Sequence, residues 1–198
     1  MRRVIATMAF AAAACAPDLR TDFPFDGDLP AGDYVTFTDT GGGVWELRVN
    51  AGEPQSWVYV DLDDQRQIPG VEAVGSVGWD VAFQRFRIIS NGGVSGVGPV
   101  EVAVLPGQDF DALSAAPATG YAQDADDGPD SNQDIDSVFL AGDGWYLYDL
   151  FNHGVNPRDN VYVVHSDRGY WALKILAYYD EAGTAARLRM NVKALAPP

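Results

Sequence analysis

Apolar and polar residues alternate in many short segments of this chain, and a period of two is typical of β-strands with one buried face. The clearest segment runs from Trp79 to Ile89, and we interpret it as one long strand. Its alternation changes phase at Gln84 and Arg85, which indicates a β-bulge or a strong local twist. We expect three large side chains of its first half to point into the core together: Trp79, Val81 and Phe83.

A turn should end this strand at residues 90–93. Asn91-Gly92 is the dipeptide that most readily takes positive φ at both central positions of a tight hairpin turn. The glycine-rich residues 94–98 predict an irregular loop, and residues 99–105 return to an extended pattern. The stretch 79–98 therefore joins the best strand signal to the best turn signal, and we expect it to organise the domain.

Several other segments carry strand patterns, separated by glycine, proline and polar residues. Further strands are predicted at residues 34–38, 44–49, 56–62, 100–105, 144–149, 160–165, 169–179 and 185–192. In the strand at 56–62, one face should carry Trp57, Tyr59 and Asp61, and the other Val58, Val60 and Leu62. A polar loop is expected at 63–78, a short turn of helix within 110–119 and an acidic loop at 121–136.

The connections between most of these strands are short, which favours antiparallel neighbours. We predict an all-β fold over residues 31–198: a single antiparallel domain, meander or sandwich-like, with short connections.

Two of the segments have a familiar sequence. One is Trp-Asp-Val-Ala-Phe-Gln-Arg-Phe-Arg-Ile at 79–88, with the Ser-Asn-Gly-Gly-Val-Ser-Gly of 90–96, and the other is Tyr-Trp-Ala-Leu-Lys-Ile-Leu-Ala-Tyr-Tyr at 170–179. Both resemble the HmuY family of bacterial haem-binding surface lipoproteins, and the likeness covers most of residues 31–193. The resemblance implies an all-β protein and, further, haem binding.

Composition excludes some classes of function. The chain has 198 residues, with 28 Asp and Glu against 13 Lys and Arg and a formal net charge of -15. Such a surface repels phosphate backbones, so nucleic acid is not an expected partner. A hydrophobic content of 47% is too high for a disordered acidic chain.

The N-terminus carries a localisation signal. Arg2 and Arg3 are followed by a short apolar run, then by small residues at 11–14 and by Cys15, the only cysteine. This order resembles a bacterial lipoprotein signal, although Ala12 stands where a leucine is usual; ordinary secretion or an incidental cysteine are the alternatives. We predict a signal peptide at 1–14, lipidation of Cys15, a tether over 15–30 and attachment to the outer membrane or cell surface.

Candidate haem ligands are few. The chain has two histidines: His153 lies in a predicted turn from which it could reach into a cleft, and His165 ends a predicted strand. The family resemblance implies a pair of histidine axial ligands, and imidazole suits iron. Met190 is the remaining soft ligand once the predicted signal peptide is removed, although its strand position also fits a core or pocket-wall residue.

The acidic segment 124–136 offers many oxygen ligands of the kind that calcium prefers. It departs from the EF-hand loop because Pro129 follows the glycine and no glutamate closes it. A solvated surface loop is the favoured interpretation, with calcium binding left open.

No catalytic arrangement is visible. Residues 93–97 miss the nucleophile elbow because Val97 stands where its second glycine is needed, and the glycine-rich loops carry no phosphate-binding lysine. Exposed loop positions account for carboxylate pairs such as Asp63 and Asp64. We therefore expect a non-enzymatic lipoprotein that binds haem or another planar hydrophobic ligand. The alternative is a structural or interaction lipoprotein that keeps the fold without a haem site.

Overall fold

The computed structural model describes residues 29–30, 32–126 and 135–198, and its regular structure is 48% strand against 2% helix. The all-β prediction is confirmed. The elements are β1 Val35–Gly41, β2 Val44–Asn50, β3 Val58–Asp61, β4 Arg66–Ile68, α1 Gly70–Ala73, β5 Val81–Gln84, β6 Arg87–Ser90, β7 Glu101–Pro106, β8 Tyr121–Ala122, β9 Ala125–Asp126, β10 Ile135–Asp136, β11 Tyr146–Asp149, β12 Gly154–Pro157, β13 Asn160–His165, β14 Tyr170–Tyr179 and β15 Ala185–Leu195.

A seven-stranded sheet has the order β1-β2-β15-β14-β13-β7-β8, and all of its pairs are antiparallel. Antiparallel pairing was predicted from the short connections for the hairpin β1–β2 and for the strands from β13 to β15. The C-terminal strand β15 lies between β14 and β2, where Met190 pairs with both Ile175 and Leu47. It thereby joins the N-terminal hairpin to the rest of the sheet.

A four-stranded sheet, β4-β3-β5-β6, supplies the second layer. The main core contains buried side chains from both sheets, among them Leu47 and Leu173 from the large one and Val60 and Phe83 from the small one. The predicted faces of β3 are confirmed: Val58, Val60 and Leu62 join the main core, whereas Trp57 and Tyr59 join a second cluster. The domain is thus built like a sandwich.

The predicted bent strand at 79–89 is wrong, because the segment is a hairpin. Strands β5 and β6 pair antiparallel through Phe83 and Ile88, and Arg85 turns the chain with a φ of 54°. The indole nitrogen of Trp145 donates to the carbonyl of Phe86 at 2.9 Å and holds that turn. A two-residue turn shifts the alternation just as a bulge would, so the two cannot be told apart by spacing.

Trp79, Val81 and Phe83 are all buried, as predicted, but they do not share one cluster. Val81 and Phe83 lie in the main core, and Trp79 packs with Tyr59 in the second cluster at a ring distance of 5.0 Å. The reason is that β5 begins only at Val81, so Trp79 stands before the regular alternation starts.

Strand β6 ends at Ser90 as predicted, but the tight hairpin turn predicted at Asn91-Gly92 is wrong. Asn91 is fully buried, and its side-chain amide donates to the carbonyls of Ser76 and Trp79 at 3.0 and 2.8 Å. Positive φ occurs at Gly93 and not at Gly92. Gly92 is required for space instead, since a Cβ there would lie 2.0 Å from the carbonyl oxygen of Val100.

Two predicted loops contain regular structure, and one predicted helical turn is not formed. The loop at 63–78 holds β4 and α1, and the acidic segment from 121 holds β8, β9 and β10. The described residues 110–119 form a turn without a helix, because backbone groups of Ser114 and Ala116 bond to Ala196 at the end of β15. These groups are therefore not available for helical hydrogen bonds.

The predicted signal peptide, Cys15 and the tether up to residue 28 lie outside the described residues. Within the described part of the chain, no helix has the length and apolar character needed to span a membrane.

Candidate ligand site

The hairpin of β11 and β12 presents one of the two histidines. Tyr146 pairs with Pro157 at its base and Asp149 with Gly154 at its end. His153 occupies the connecting turn with a φ of 56°, a left-handed conformation that histidine takes more readily than most residues. The structure therefore confirms that His153 lies in a turn.

Local hydrogen bonds fix the shape of this turn. The Asp149 carboxylate accepts from the backbone N–H of Phe151 at 2.8 Å, and the Asn152 side chain accepts from that of Gly154 at 2.7 Å. The hydroxyl of Tyr148 lies 2.8 Å from Nδ1 of His153. Because one ring nitrogen is engaged by Tyr148, the imidazole is oriented with its Nε2 available.

Large apolar side chains are exposed around His153. We call them the apolar tip: Leu147, Tyr148, Leu150 and Phe151. Leu150 is 78% exposed and Phe151 is 99% exposed, and the other two are about half exposed. Several exposed large apolar side chains on one hairpin make it a candidate binding surface.

The base of the hairpin is anchored in the domain. Trp145 is 1% exposed and packs edge-to-face on Tyr146 at 4.9 Å. Its backbone carbonyl accepts from the N–H of Arg158 at 2.8 Å, and the N–H of Val155 donates to the Tyr179 hydroxyl at 3.0 Å. The apolar tip is thus carried by a fixed base.

His165 has different surroundings. Its ring stacks on Tyr170 with 4.3 Å between centroids and an interplanar angle of 6°, and Tyr121 contacts it edge-on at 5.6 Å. Glu101 lies 3.8 Å from Nδ1 across the β7–β13 pair. One face of this imidazole is therefore covered by aromatic packing at the end of the large sheet.

The two histidines are not brought together. His165 pairs with Tyr170 at the first residue of β14, whereas the hairpin of His153 is bonded through Val155 to Tyr179 at the last. A ten-residue strand is about 30 Å long. His153 and His165 therefore lie near opposite ends of β14, and the structure does not bring together the pair that the family resemblance implied.

Met190 lies in the main core between Ile175 and Leu47, with 0% of its surface exposed. Its thioether consequently has no access to a ligand at the surface. Of the three candidate ligands, His153 alone stands beside exposed apolar residues.

The comparisons with known proteins fit this fold. The family model described as HmuY protein matches residues 53–191, which is more than half of the chain. The chain belongs to the HmuY family.

Solved structures similar to this HmuY-family chain share its fold. A proposed lipoprotein from Bacteroides fragilis is 18% identical with a TM-score of 0.60, and the match covers 81% of this chain and 96% of that one. A proposed HmuY-like haem-binding protein from Bacteroides vulgatus is 17% identical, with 82% and 97% coverage and a TM-score of 0.58.

The apo HmuY analogue of Tannerella forsythia is 15% identical, with 81% and 96% coverage and a TM-score of 0.59. No curated protein matches the chain significantly in sequence.

A carboxylate cluster in this HmuY-family chain was not anticipated from the sequence. Oxygens of Asp61, Asp63 and Asp80 lie within 4.8 Å of one another, an arrangement able to hold a cation. Arg168 already contacts Asp61 at 2.5 Å, Asp63 at 3.2 Å and Asp64 at 2.9 Å. These pairs join β3 to the β13–β14 turn, so we assign the cluster a structural role.

Burial changes the acidity of this cluster. Desolvation raises the pKa of Asp80 to about 7, partly offset by the N–H of Leu62, which donates to its carboxylate at 2.7 Å. Desolvation likewise raises the pKa of Asp61. Asp64 fits the predicted exposed position, but Asp63 is only 14% exposed in its side chain.

The first residue of the acidic segment is also structural. Asp124 is 2% exposed, and its two carboxylate oxygens accept from the N–H groups of Ser90 and Val138, each at 2.9 Å. Desolvation raises the pKa of this carboxyl. Both oxygens are engaged by the backbone, so Asp124 is not arranged as a calcium ligand; residues 127–134 lie outside the described part.

Proposed function

We propose that this HmuY-family protein binds haem or a similar planar hydrophobic ligand, without catalysis, at the apolar tip. The observation that carries the proposal is the exposure of Leu150 and Phe151 beside an oriented histidine. Covering one such side chain contributes about 1.5–3 kcal/mol, so a flat ligand lying on the tip gains several times that amount. His153 is the proposed iron ligand.

The chemistry of the turn supports this choice. When Nδ1–H of His153 donates to the Tyr148 hydroxyl, the lone pair of Nε2 is left for coordination, and the hydrogen bond fixes the orientation of the ring. Haem would supply an iron atom held in a porphyrin, and an imidazole would bind that iron. The rest of the porphyrin ring would contact the leucine and aromatic side chains of the apolar tip, which otherwise face water.

A hemin titration of the purified protein followed by visible spectroscopy tests the proposal. Saturable binding at about micromolar hemin with a shifted Soret band is expected. The paired variant Leu150→Ser/Phe151→Ser should weaken binding at least about tenfold, because both side chains are exposed and their loss removes contacts with the ligand only. No saturable binding by the unmodified protein would refute the haem proposal.

The protein is further proposed to be a lipid-anchored protein of the cell envelope, at the outer membrane or cell surface. The support is the sequence of residues 1–15 and the membership of a family with lipoprotein-like neighbours. Acyl chains on Cys15 would anchor the protein firmly, so Cys15→Ser should move it from the membrane to the soluble fraction. Retention of a processed Cys15→Ser protein after a high-salt wash would refute the anchor.

The alternative is a structural or interaction lipoprotein without a haem site. Its support is the separation of His153 from His165, together with the burial of Met190. In that case the apolar tip would contact another protein, and hemin would show no saturable binding.

A further inference from the structure

A groove of about 380 Å³ opens where β1, β2 and β15 meet the β14–β15 turn. We call it the arginine groove, because its lining includes three arginines: Arg48, Arg187 and Arg189. The whole chain has only 13 basic residues against 28 acidic ones. Three guanidinium groups in one groove therefore contrast with the negative net charge of the whole chain.

The strand register places these cations on one face. Arg189 on β15 lies directly opposite Arg48 on β2, and Arg187, two residues earlier on β15, lies opposite Asn50. Like charges directly opposite each other on neighbouring strands destabilise a sheet. An anion bound at Arg189 would reduce that cost.

Arg48 already has its counter-ions. Its guanidinium donates to Glu181 at 2.9 and 3.2 Å and to Glu46 at 2.7 Å, and these bonds raise its pKa. Arg48 and Glu181 thus form a fixed ion pair at the edge of the groove. The other two arginines have no carboxylate bound to them, although Arg187 contributes to lowering the pKa of Asp180 and Arg189 contributes to lowering that of Glu181 from a longer distance.

Arg187 bonds to the side-chain oxygen of Asn50, which is a neutral acceptor. The Nε of Arg189 is buried and has no hydrogen-bond partner. Among residues 32–126 and 135–198, neither arginine has a carboxylate at ion-pair distance. A buried donor left without a partner destabilises the folded protein, and an acceptor that reached it would remove that cost.

The acidic side chains that line the groove attract Arg187 and Arg189 from a distance but do not bond to either guanidinium. Asp180 accepts from the N–H groups of Ala182 and Thr184 at 3.0 and 2.7 Å, so its carboxylate closes the β14–β15 turn. Asp33 and Glu181 complete the acidic lining, and Glu181 is held by Arg48.

We propose that the arginine groove binds an oxyanion, a carboxylate or phosphate group, through Arg189 and Arg187. The guanidinium fork matches the two oxygens of such a group, and its hydrogen bonds to anions are among the strongest in proteins. The Arg48–Glu181 pair forms one wall and limits the size of the group. The proposal involves neither His153 nor the apolar tip, so it stands independently of haem binding.

Calorimetric titration of the purified protein at low ionic strength with inorganic phosphate, and separately with succinate, tests the site. At least one of the two anions should bind saturably, with a dissociation constant below about 10 mM. Binding of phosphate alone or of succinate alone shows which type of group the site prefers. Arg189→Gln should weaken that binding at least about tenfold, and Arg187→Gln should weaken it as well. Lys193→Gln removes the same charge from the same strand outside the groove and should change the affinity less than about twofold.

Absence of saturable binding for both anions would overturn the proposal. So would an Arg189→Gln protein, folded by circular dichroism, that binds as tightly as the unmodified protein. If Arg189→Gln does not fold, Arg187→Gln decides in its place, because Arg187 is a partly buried residue of the groove lining and not a core residue. Equal weakening by Lys193→Gln would show a general charge effect and would likewise contradict a specific site.

Discussion

The Tyr148 hydroxyl and Nδ1 of His153 are 2.8 Å apart across the end of the β11–β12 hairpin. This contact turns an exposed histidine into an oriented one, because it holds Nδ1 in place whether the hydroxyl donates to that nitrogen or accepts from it. The same turn carries Phe151, the most exposed large apolar residue of the described chain.

Replacement of Tyr148 by phenylalanine tests the role of that hydroxyl. Tyr148→Phe keeps the aromatic surface of the apolar tip but removes the partner of His153. Loss of such an orienting group typically costs about 10–100-fold in metal affinity, so hemin binding should weaken by about that factor. Titration monitored at the Soret band measures the change.

Tyr170→Phe is the matched control, because Tyr170 stacks on the other histidine and would likewise lose only a hydroxyl. Its hemin affinity should equal that of the unmodified protein. If both variants bind alike, the Tyr148 hydroxyl does not position an iron ligand.

The β5–β6 hairpin should be a major source of stability. Phe83 is 0% exposed in the main core, and truncation of a buried aromatic residue to alanine costs about 3–5 kcal/mol. Gln84→Ala, at a half-buried neighbouring position, should cost less than about 1 kcal/mol. Urea melts of the two variants measure this difference, and equal losses of stability would contradict the central place of the hairpin.

Asp80 should make stability depend on pH. Its pKa is raised to about 7 in the folded protein, against about 3.9 in an unfolded chain, so the folded state retains a proton that the unfolded state loses between these values. The stabilisation from this proton is complete below about pH 4 and disappears as the pH rises through about 7.

Asp80→Asn carries no titrating proton and should lack this part of the pH dependence. The stability of the unmodified protein relative to Asp80→Asn should therefore fall by an amount on the order of a few kcal/mol between about pH 4 and pH 8. Urea unfolding at a series of pH values measures it. Parallel pH profiles for the two proteins would show that Asp80 is ionised alike in both states.

Much of the fold could be predicted because strand faces are local information. The alternation of Val58, Val60 and Leu62 against Trp57 and Tyr59 correctly assigned both sides of β3. The turn at Arg85 was missed because a two-residue turn and a bulge shift the alternation equally. The glycine that follows Asn91 indicated a tight turn there. In the structure the buried side chain of Asn91 instead donates to the carbonyls of Ser76 and Trp79, which are distant in sequence.

The candidate site was predictable only in part. The turn around His153 follows from its asparagines, glycine and proline, and the structure places the histidine there. The distance between His153 and His165 depends on strand order, and their closeness in sequence gave no sign of it. The contact of Arg168 with Asp61 joins residues 107 positions apart, which local patterns do not reveal.

The central claim is that His153, and neither His165 nor Met190, binds the iron of haem. Hemin titrations of His153→Ala and His165→Ala under identical conditions test it most directly. The account predicts that His153→Ala loses the shifted Soret band and at least about tenfold in affinity, while His165→Ala keeps both. A His153→Ala protein with an unchanged Soret band, or a His165→Ala protein that loses it, would contradict the account.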